Sequence, residues 1–383
     1  MDQVGFVGGL GLAPAGTKAT ARTCRMQRPS RVAPAHRARR SALVKMSAAK
    51  DAATGGPVEI SSTGEVQSTQ QRLRVGGFIG LWYVFNIVYN ISNKTVLNVY
   101  PYPWFVAWIQ LVIGAAYAIL VWATRLRKMP NINTDLIKSL IPVAIFHNVG
   151  HVATVVSLGA VAVSFTHVVK AMEPFVNVVA SAIILKSVFP IPVYLSLLPV
   201  VGGVIMASVT EVSFTWMGFM SAMTSNFAFV GRNIYSKMGM ASTKDENLNG
   251  ANLFAVMSCI AVVLLAPFPF IMEGTSFITG WKAVTSGAGA AITSAKLAQT
   301  IGISGLFFHM YQEVAFLALD SVHPVTHSVA NTVKRVVIIV TSIIVFKNPV
   351  TQANALGSAI AIVGVLLYSL IKNYYAEKEA KKA

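Results

Sequence analysis

Cysteine is almost missing from this chain, and negative charge is scarce. Of 383 residues two are cysteines, Cys24 in a basic leader and Cys259 in an apolar run, which gives neither a disulfide framework nor a metal-ligand spacing. Asp and Glu number 14 against 31 Lys and Arg, and charged residues of both signs reach only 12%. An average globular protein carries about 25%, so an ordinary water-facing surface is excluded. Catalytic groups are missing as well: no nucleophile stands beside a placed base. The one glycine-rich string, "GGLGLAPAG" at 8–16, has no strand before it and no helix after it, so a phosphate-cradling loop is not expected. An enzyme, a cofactor and a bound metal are therefore not expected.

What the chain has in abundance is apolar surface, 54% hydrophobic residues with a mean hydropathy of +0.61. The formal net charge of +17 suggests nucleic acid until its distribution is seen. Residues 1–50 hold ten Lys or Arg and one acid, Asp2, among Ala, Ser, Thr and Pro. That is the profile of an organellar transit peptide, expected over 1–48, and it removes nucleic acid as a partner. Residues 49–74 read as a disordered polar linker.

A bilayer-crossing helix needs about 20 mostly apolar residues. From residue 75 the chain supplies ten such segments, near 76–97, 103–124, 136–158, 161–186, 190–209, 214–237, 250–271, 298–319, 324–346 and 350–372. The expected fold is an all-α membrane protein of ten transmembrane helices, with membrane lipid as its surroundings. Arg72, Arg74, Arg125, Arg127, Lys128, Lys186, Lys237, Lys244 and Lys372 fall on one side; Lys94, Lys282, Lys296 and Lys347 fall on the other. The positive-inside rule then puts both termini on the stromal or matrix side.

An internal echo organises these spans. "SFTHVVKAMEPFVNVVASAIIL" at 164–185 returns as "PVTHSVANTVKRVVIIVTSIIV" at 324–345. The fourth span thus matches the ninth, five spans on, and an odd number of spans per repeat inverts the second relative to the first. The halves are expected at 75–211 and 212–373, with a charged tail at 374–383. At this offset Lys170 corresponds to Ala330, and Lys334 lies one helical turn further along the same face. Lys170 and Lys334 are then expected to converge on one cavity, with Arg335 beside them. A cation at the centre of a membrane helix costs about 2.5–3.5 kcal/mol on insertion scales. Glu173 is the one nearby acid, so the natural compensation is an exchangeable anion. An Arg fork with two Lys suits a phosphate dianion better than a monocarboxylate. The alternative, that Lys334 and Arg335 snorkel to an interface, lacks the Trp or Tyr expected beside such a pair.

Other polar residues extend this cavity. His147, His151 and Thr154 in "FHNVGHVATVVS" recur at i, i+4 and i+7, one helical stripe suited either to a substrate or to helix contact. Tyr311 in "FFHMYQE" can reach a substrate carboxylate or lie at a wet interface. Arg232 in "FVGRNIYSK" reads as a gate, a supporting charge or a stromal anchor. His167 and His327 read as packing residues.

These residues resemble a known family, the plastid phosphate translocators of the drug/metabolite transporter superfamily. The resemblance spans about 75–375 through "NISNKTVLNVYPYPW", "VAVSFTHVVKAMEPF", "SLLPVVGGVIMASVTEVSF", "RNIYSK" and "PVTHSVANTVKRVVIIVTSIIVF". It implies a ten-helix antiporter of the inner envelope, its termini in the stroma, exchanging inorganic phosphate for a phosphorylated compound by alternating access. Thr154, Lys170, Lys334 and Arg335 would hold phosphate, while His151 and Tyr311 would read the organic end. His147, Glu173 and Arg232 would be gate or supporting residues, and a homodimer is compatible with the resemblance. "MEPF", "THSV" and the "YSLIK" tail resemble the triose-phosphate branch, with triose phosphate or 3-phosphoglycerate as partner substrates. "FPIPVYLSLLPVVGG" and "NFAFVGRNIYSK" are similar to the hexose-phosphate branch, "KNPV" with "NALGSAIAI" to the pentose-phosphate branch, and "FHMYQE" to the phosphoenolpyruvate branch. His151 departs from the last of these, where Asn is expected. A nucleotide-sugar carrier shares the superfamily but not the basic leader.

Overall fold

The computed structural model describes residues 69–184, 188–242, 247–286, 290–321 and 324–380. The expected transit peptide and most of the linker lie outside them. Fourteen helices are described: α1 Thr69–Val99, α2 Pro103–Ala123, α3 Thr134–Ala160, α4 Val163–Lys170, α5 Glu173–Ile184, α6 Ile191–Leu195, α7 Leu198–Val209, α8 Trp216–Ser242, α9 Gly250–Leu265, α10 Phe268–Glu273, α11 Ser276–Thr285, α12 Ser294–Ser321, α13 Pro324–Phe346 and α14 Gln352–Ala380. The first helix begins inside the stretch expected as linker, where Gln, Arg and Leu favour helix over coil. The last runs through most of the expected tail, to Ala380.

Eight of the described segments are long and apolar enough to cross a membrane, with α4–α5, α6–α7 and α9–α10 each counting once as a bent pair. The ten expected from the sequence therefore differ from the structure by two. The helices α8 and α12 are 27 and 28 residues long, but they carry the polar side chains Asn226, Arg232, His309 and Glu313 on faces turned inward. Their lower hydropathy follows from what they bring to the interior.

Proline accounts for the bend between α4 and α5. Pro174 has no N–H to give the Lys170 carbonyl four residues earlier, so the helix breaks there. The turn is closed instead by i→i−3 bonds from Ala171 to Val168 and from Met172 to Val169, both at 3.0 Å. Elsewhere, termini are held by side chains. Asn133 caps α3 by accepting from the Leu136 N–H at 2.8 Å. Glu273 accepts the Trp104 and Phe105 N–H groups at the start of α2, at 2.8 and 3.0 Å, a carboxylate on the positive end of a helix dipole. At the other end of α3, Lys94 donates to the Leu158 and Val161 carbonyls at 2.8 and 3.0 Å. Between the spans expected at 250–271 and 298–319 lies α11, where Phe277 and Trp281 bury against the core while Tyr100 donates to the Phe277 carbonyl at 2.6 Å.

In the packed body α3 runs along α8 and α1 along α12; α9 lies on α2, α3 and α12; α13 touches α1, α4 and α14; and α7 pairs with α14. The outward faces are apolar, with Leu120, Ile183, Val209, Val263, Ile271 and Ile344 among the exposed side chains. The α7–α14 crossing is close because it has glycine on both sides. A Cβ on Gly203 would meet the Gly357 carbonyl at 2.7 Å and one on Gly357 would meet the Ala207 nitrogen at 2.6 Å, whereas neighbouring Gly202 faces open space. Gly203→Leu is expected to lower stability by about 3 kcal/mol or more through overpacking, while Gly202→Leu is tolerated. Thermal unfolding of the two variants side by side in detergent checks this.

Candidate functional site

The break at Pro174 has a chemical consequence. It leaves the Lys170 carbonyl without its helical donor, and Arg335 of α13 supplies one from Nη1 at 2.5 Å. The other arm of the same guanidinium, Nη2, donates to the Glu173 carboxylate at 2.5 Å. Arg335 is 6% exposed and ends on the half-buried acid Glu173. One planar fork thus spans 162 residues of sequence to both sides of the α4–α5 break.

The Lys170 ammonium turns instead to α3 and α8. Its Nζ donates to Thr154 Oγ1 of α3 at 3.2 Å and to Ser225 Oγ of α8 at 2.8 Å. Each hydroxyl keeps its own proton on a helix carbonyl: Thr154 donates to Gly150 at 2.7 Å and Ser225 to Ala222 at 2.7 Å. The ammonium therefore meets two oriented lone pairs. Beneath it lies the Phe229 ring, with Lys170 Nζ 4.6 Å from the centroid and Arg232 Cζ 4.8 Å from it. That ring fits because position 150 is glycine; a Cβ there would meet Phe229 at 2.9 Å. Arg232 also reaches His147, Nη1 to Nδ1 at 3.3 Å.

The expected histidine stripe forms. His147 and His151 lie nearly parallel, 6.1 Å apart at 6°. His151 rests on Phe308 at 4.0 Å, and Phe308 meets Tyr311 edge-on at 5.6 Å. Tyr311 packs in turn on Tyr89 at 5.3 Å. The Nε2 atoms of His147 and His151 and the Tyr89 hydroxyl are buried without a hydrogen-bond partner among the described residues. A buried unpaired polar group costs about 1–3 kcal/mol, so this aromatic wall holds polar capacity that the protein itself does not use. Lys334 takes a separate position, its Nζ 4.3 Å above the Trp82 ring of α1.

The structure thus brings Lys170, Thr154, Glu173 and Arg335 into one linked set, and His147 with Arg232 into contact beside it. His151 and Tyr311 share the Phe308 face. Lys334 neighbours Arg335 in sequence, yet its ammonium lies on Trp82 and not on the Lys170 group. Of the echo histidines, His167 bonds Asn90 Oδ1 at 3.0 Å as a packing residue, and the His327 side chain lies outside the described residues. Sequence reasoning missed Trp82, Ser225, Phe229 and Phe308, ordinary residues for a membrane helix whose importance comes from what crosses over them. It also missed a buried ion pair between Arg127 and Glu313, with His309 Nε2 3.7 Å from the same carboxylate.

Fold and site together define a polytopic helical membrane protein with a cationic centre built from helices distant in sequence. The chain belongs to the Triose-phosphate Transporter family, whose model matches residues 73–369. Among similar proteins are the glucose-6-phosphate/phosphate translocator 2 of Arabidopsis thaliana, 40% identical over 90% of this chain and 87% of its own length, and the triose phosphate/phosphate translocator of Pisum sativum, 44% identical over 81% and 76%. The phosphoenolpyruvate/phosphate translocator 1 of Oryza sativa subsp. japonica is 45% identical over 78% and 72%. All three are named as chloroplastic.

Proposed function

We propose that this protein is an antiporter of the plastid inner envelope that exchanges inorganic phosphate for triose phosphate or 3-phosphoglycerate by alternating access, with no enzymatic step. The observation that carries the reading is the bridge from Arg335 to the Lys170 carbonyl and Glu173, which joins the two echo helices at the one place where three cations come from both halves of the chain. Phosphate offers oxygens to Lys170, Thr154, Lys334 and Arg335. His151 and Tyr311 recognise the organic end, with Arg232 and His147 as supporting charge and Glu173 as the resident counter-ion.

The architecture proposed with it is ten spans in two inverted halves, 75–211 and 212–373, with both termini in the stroma and 1–48 as the transit peptide. Helix neighbours support the repeat. Five spans on, the pair α3 with α8 becomes α12 with α1, and α2 with α12 becomes α9 with α3. The echo helices α4 and α13 pack on each other, as do α7 and α14. A carrier built this way places its substrate where the halves meet.

The organic substrate is the finer question, since the relatives named for glucose 6-phosphate, triose phosphate and phosphoenolpyruvate are 40–45% identical to this chain. The C3 reading rests on "MEPF", "THSV" and the "YSLIK" tail, which resemble the triose-phosphate branch. The same antiport with a hexose phosphate, a pentose phosphate or phosphoenolpyruvate is the second reading. Labelled phosphate uptake into liposomes preloaded with one compound at a time decides between them. Dihydroxyacetone phosphate and 3-phosphoglycerate are expected to support exchange best; support from glucose 6-phosphate or phosphoenolpyruvate alone refutes the C3 assignment. His151→Asn is expected to shift the ratio of 3-phosphoglycerate to phosphoenolpyruvate exchange by about tenfold towards the latter, as loss of an imidazole contact to the hydroxyl that only 3-phosphoglycerate carries implies.

A further inference from the structure

A second register links the first helix of each half. "NISNK" at 90–94 and "NIYSK" at 233–237 share Asn, Ile and Lys at an offset of 143. Carried back along α1 and α8, this register pairs Trp82 with Ser225 and Tyr83 with Asn226. The contacts of these four residues correspond. Ser225 accepts from Lys170 Nζ at 2.8 Å, and Trp82 lies under Lys334 Nζ at 4.3 Å. Asn226 donates to the Val169 carbonyl at 3.0 Å, and Tyr83 donates to the Ala330 carbonyl at 2.6 Å. In the 160-residue echo register those two carbonyls are one residue apart. Each dipeptide therefore takes hold of one site lysine and one carbonyl of the helix that bears it, and in both cases the helix held belongs to the opposite half.

We infer that Trp82–Tyr83 and Ser225–Asn226 are repeat-related latches that hold the two halves together through the site lysines until an anion draws the ammonium groups away. The inference rests on the reading of Lys170 and Lys334 as anion-binding groups. Both latches lie in the interior: Trp82, Ser225 and Asn226 are buried. A cation over an indole face is attracted more strongly when desolvated, and an ammonium on an oriented hydroxyl is a charge-assisted bond. These contacts offset part of the lysines' burial with no substrate bound, so they favour the latched arrangement. A dianion between Lys170 and Lys334 competes for the same two ammonium groups. Binding would then weaken both latches at once, and the tendency of the carrier to stay put when empty is assigned to Trp82 and Ser225. These are positioning residues that act through the lysines and are not themselves ligands of phosphate.

The test is the double variant W82L/S225A in liposomes loaded with labelled phosphate. Efflux is measured into buffer with and without external phosphate. The expected result is exchange within about threefold of wild type and a ratio of net efflux to exchange raised about tenfold or more, since the variant removes both contacts that hold the lysines. W82F, which keeps an aromatic face, is expected to hold the ratio near wild type. An unchanged ratio in the double variant overturns the latch, because a purely packing role lowers both fluxes together. If that variant folds poorly, tryptophan emission of the purified protein gives a second readout: phosphate shifts the wild-type signal as Lys334 leaves the indole, and the shift is lost in W82F. Equal shifts in both proteins overturn the proposal. A wild type that exchanges no phosphate refutes the anion-site reading and the latch with it, whereas normal wild-type exchange with an unchanged ratio refutes the latch alone.

Discussion

Arg335→Ala is expected to lower phosphate counter-exchange in liposomes by about 100-fold or more, equivalent to losing roughly 2.7 kcal/mol or more of charge-assisted binding. The size follows from geometry. Among the described residues Arg335 is the one side chain that bonds both the Lys170 carbonyl and Glu173 across the break at Pro174. Removing it deletes the fork that would grip phosphate, leaves Glu173 without its partner and orphans the Lys170 carbonyl again. Arg335→Lys restores the charge but not the fork, so recovery is expected to be partial, about a tenth of wild-type exchange. Initial rates of labelled phosphate uptake into phosphate-loaded vesicles check both variants. Robust exchange by Arg335→Ala would mean that the site lies elsewhere.

The second large effect concerns Glu173. The acid is bound to Arg335, the cation with the best phosphate geometry. Glu173 therefore stands where a phosphate oxygen would stand, and the anion must displace it or share the guanidinium with it. Glu173→Gln removes that competitor while keeping the shape. The expected outcome is phosphate binding about tenfold tighter, together with slower exchange, because release then lacks the carboxylate that reclaims Arg335. The empty protein should also lose about 1–3 kcal/mol of stability, less than for a fully buried pair because the Glu173 side chain is 31% exposed. Calorimetric titration of phosphate into the purified variant, alongside its unfolding temperature with and without phosphate, measures both. Unchanged affinity would show that Glu173 does not compete.

How far the sequence carried these conclusions depends on the kind of information each requires. Eight of the ten expected spans were legible because bilayer thickness imposes length and hydropathy on each segment alone. The echo between 164–185 and 324–345 pointed from Lys170 to the 334–335 region, and there Arg335 donates to the Lys170 carbonyl while the Lys334 ammonium lies on Trp82 instead. The contact partners were not legible. Arg335 reaches Glu173 across 162 residues, and Tyr83 reaches Ala330 across 247. No spacing rule relates such positions. Trp82 and Ser225 look like unremarkable helix residues until the helices are assembled around the lysines. The polar loading of α8 and α12 also had no unambiguous reading, since Arg232 and Glu313 weaken the signal for a span while marking the surface that it turns inward.

Proline shows the intermediate case. The span expected at 161–186 is continuous, although Pro174 within it removes a donor to the residue four places back. That the orphaned carbonyl belongs to Lys170, and that Arg335 satisfies it, needs the other half of the protein in place. The cation cluster is thus partly a consequence of backbone chemistry: the same break that opens the carbonyl gives the fork its anchor.

The central claim is that a cationic site shared between the halves must carry an anion for the protein to cross. Purified wild-type protein in liposomes, given labelled phosphate outside, tests it with two internal conditions. Vesicles loaded with unlabelled phosphate are expected to take up label rapidly and in proportion to the internal pool, while vesicles lacking any phosphorylated anion take up about a tenth as much or less. Equal uptake under both conditions, or none under either, would contradict the account.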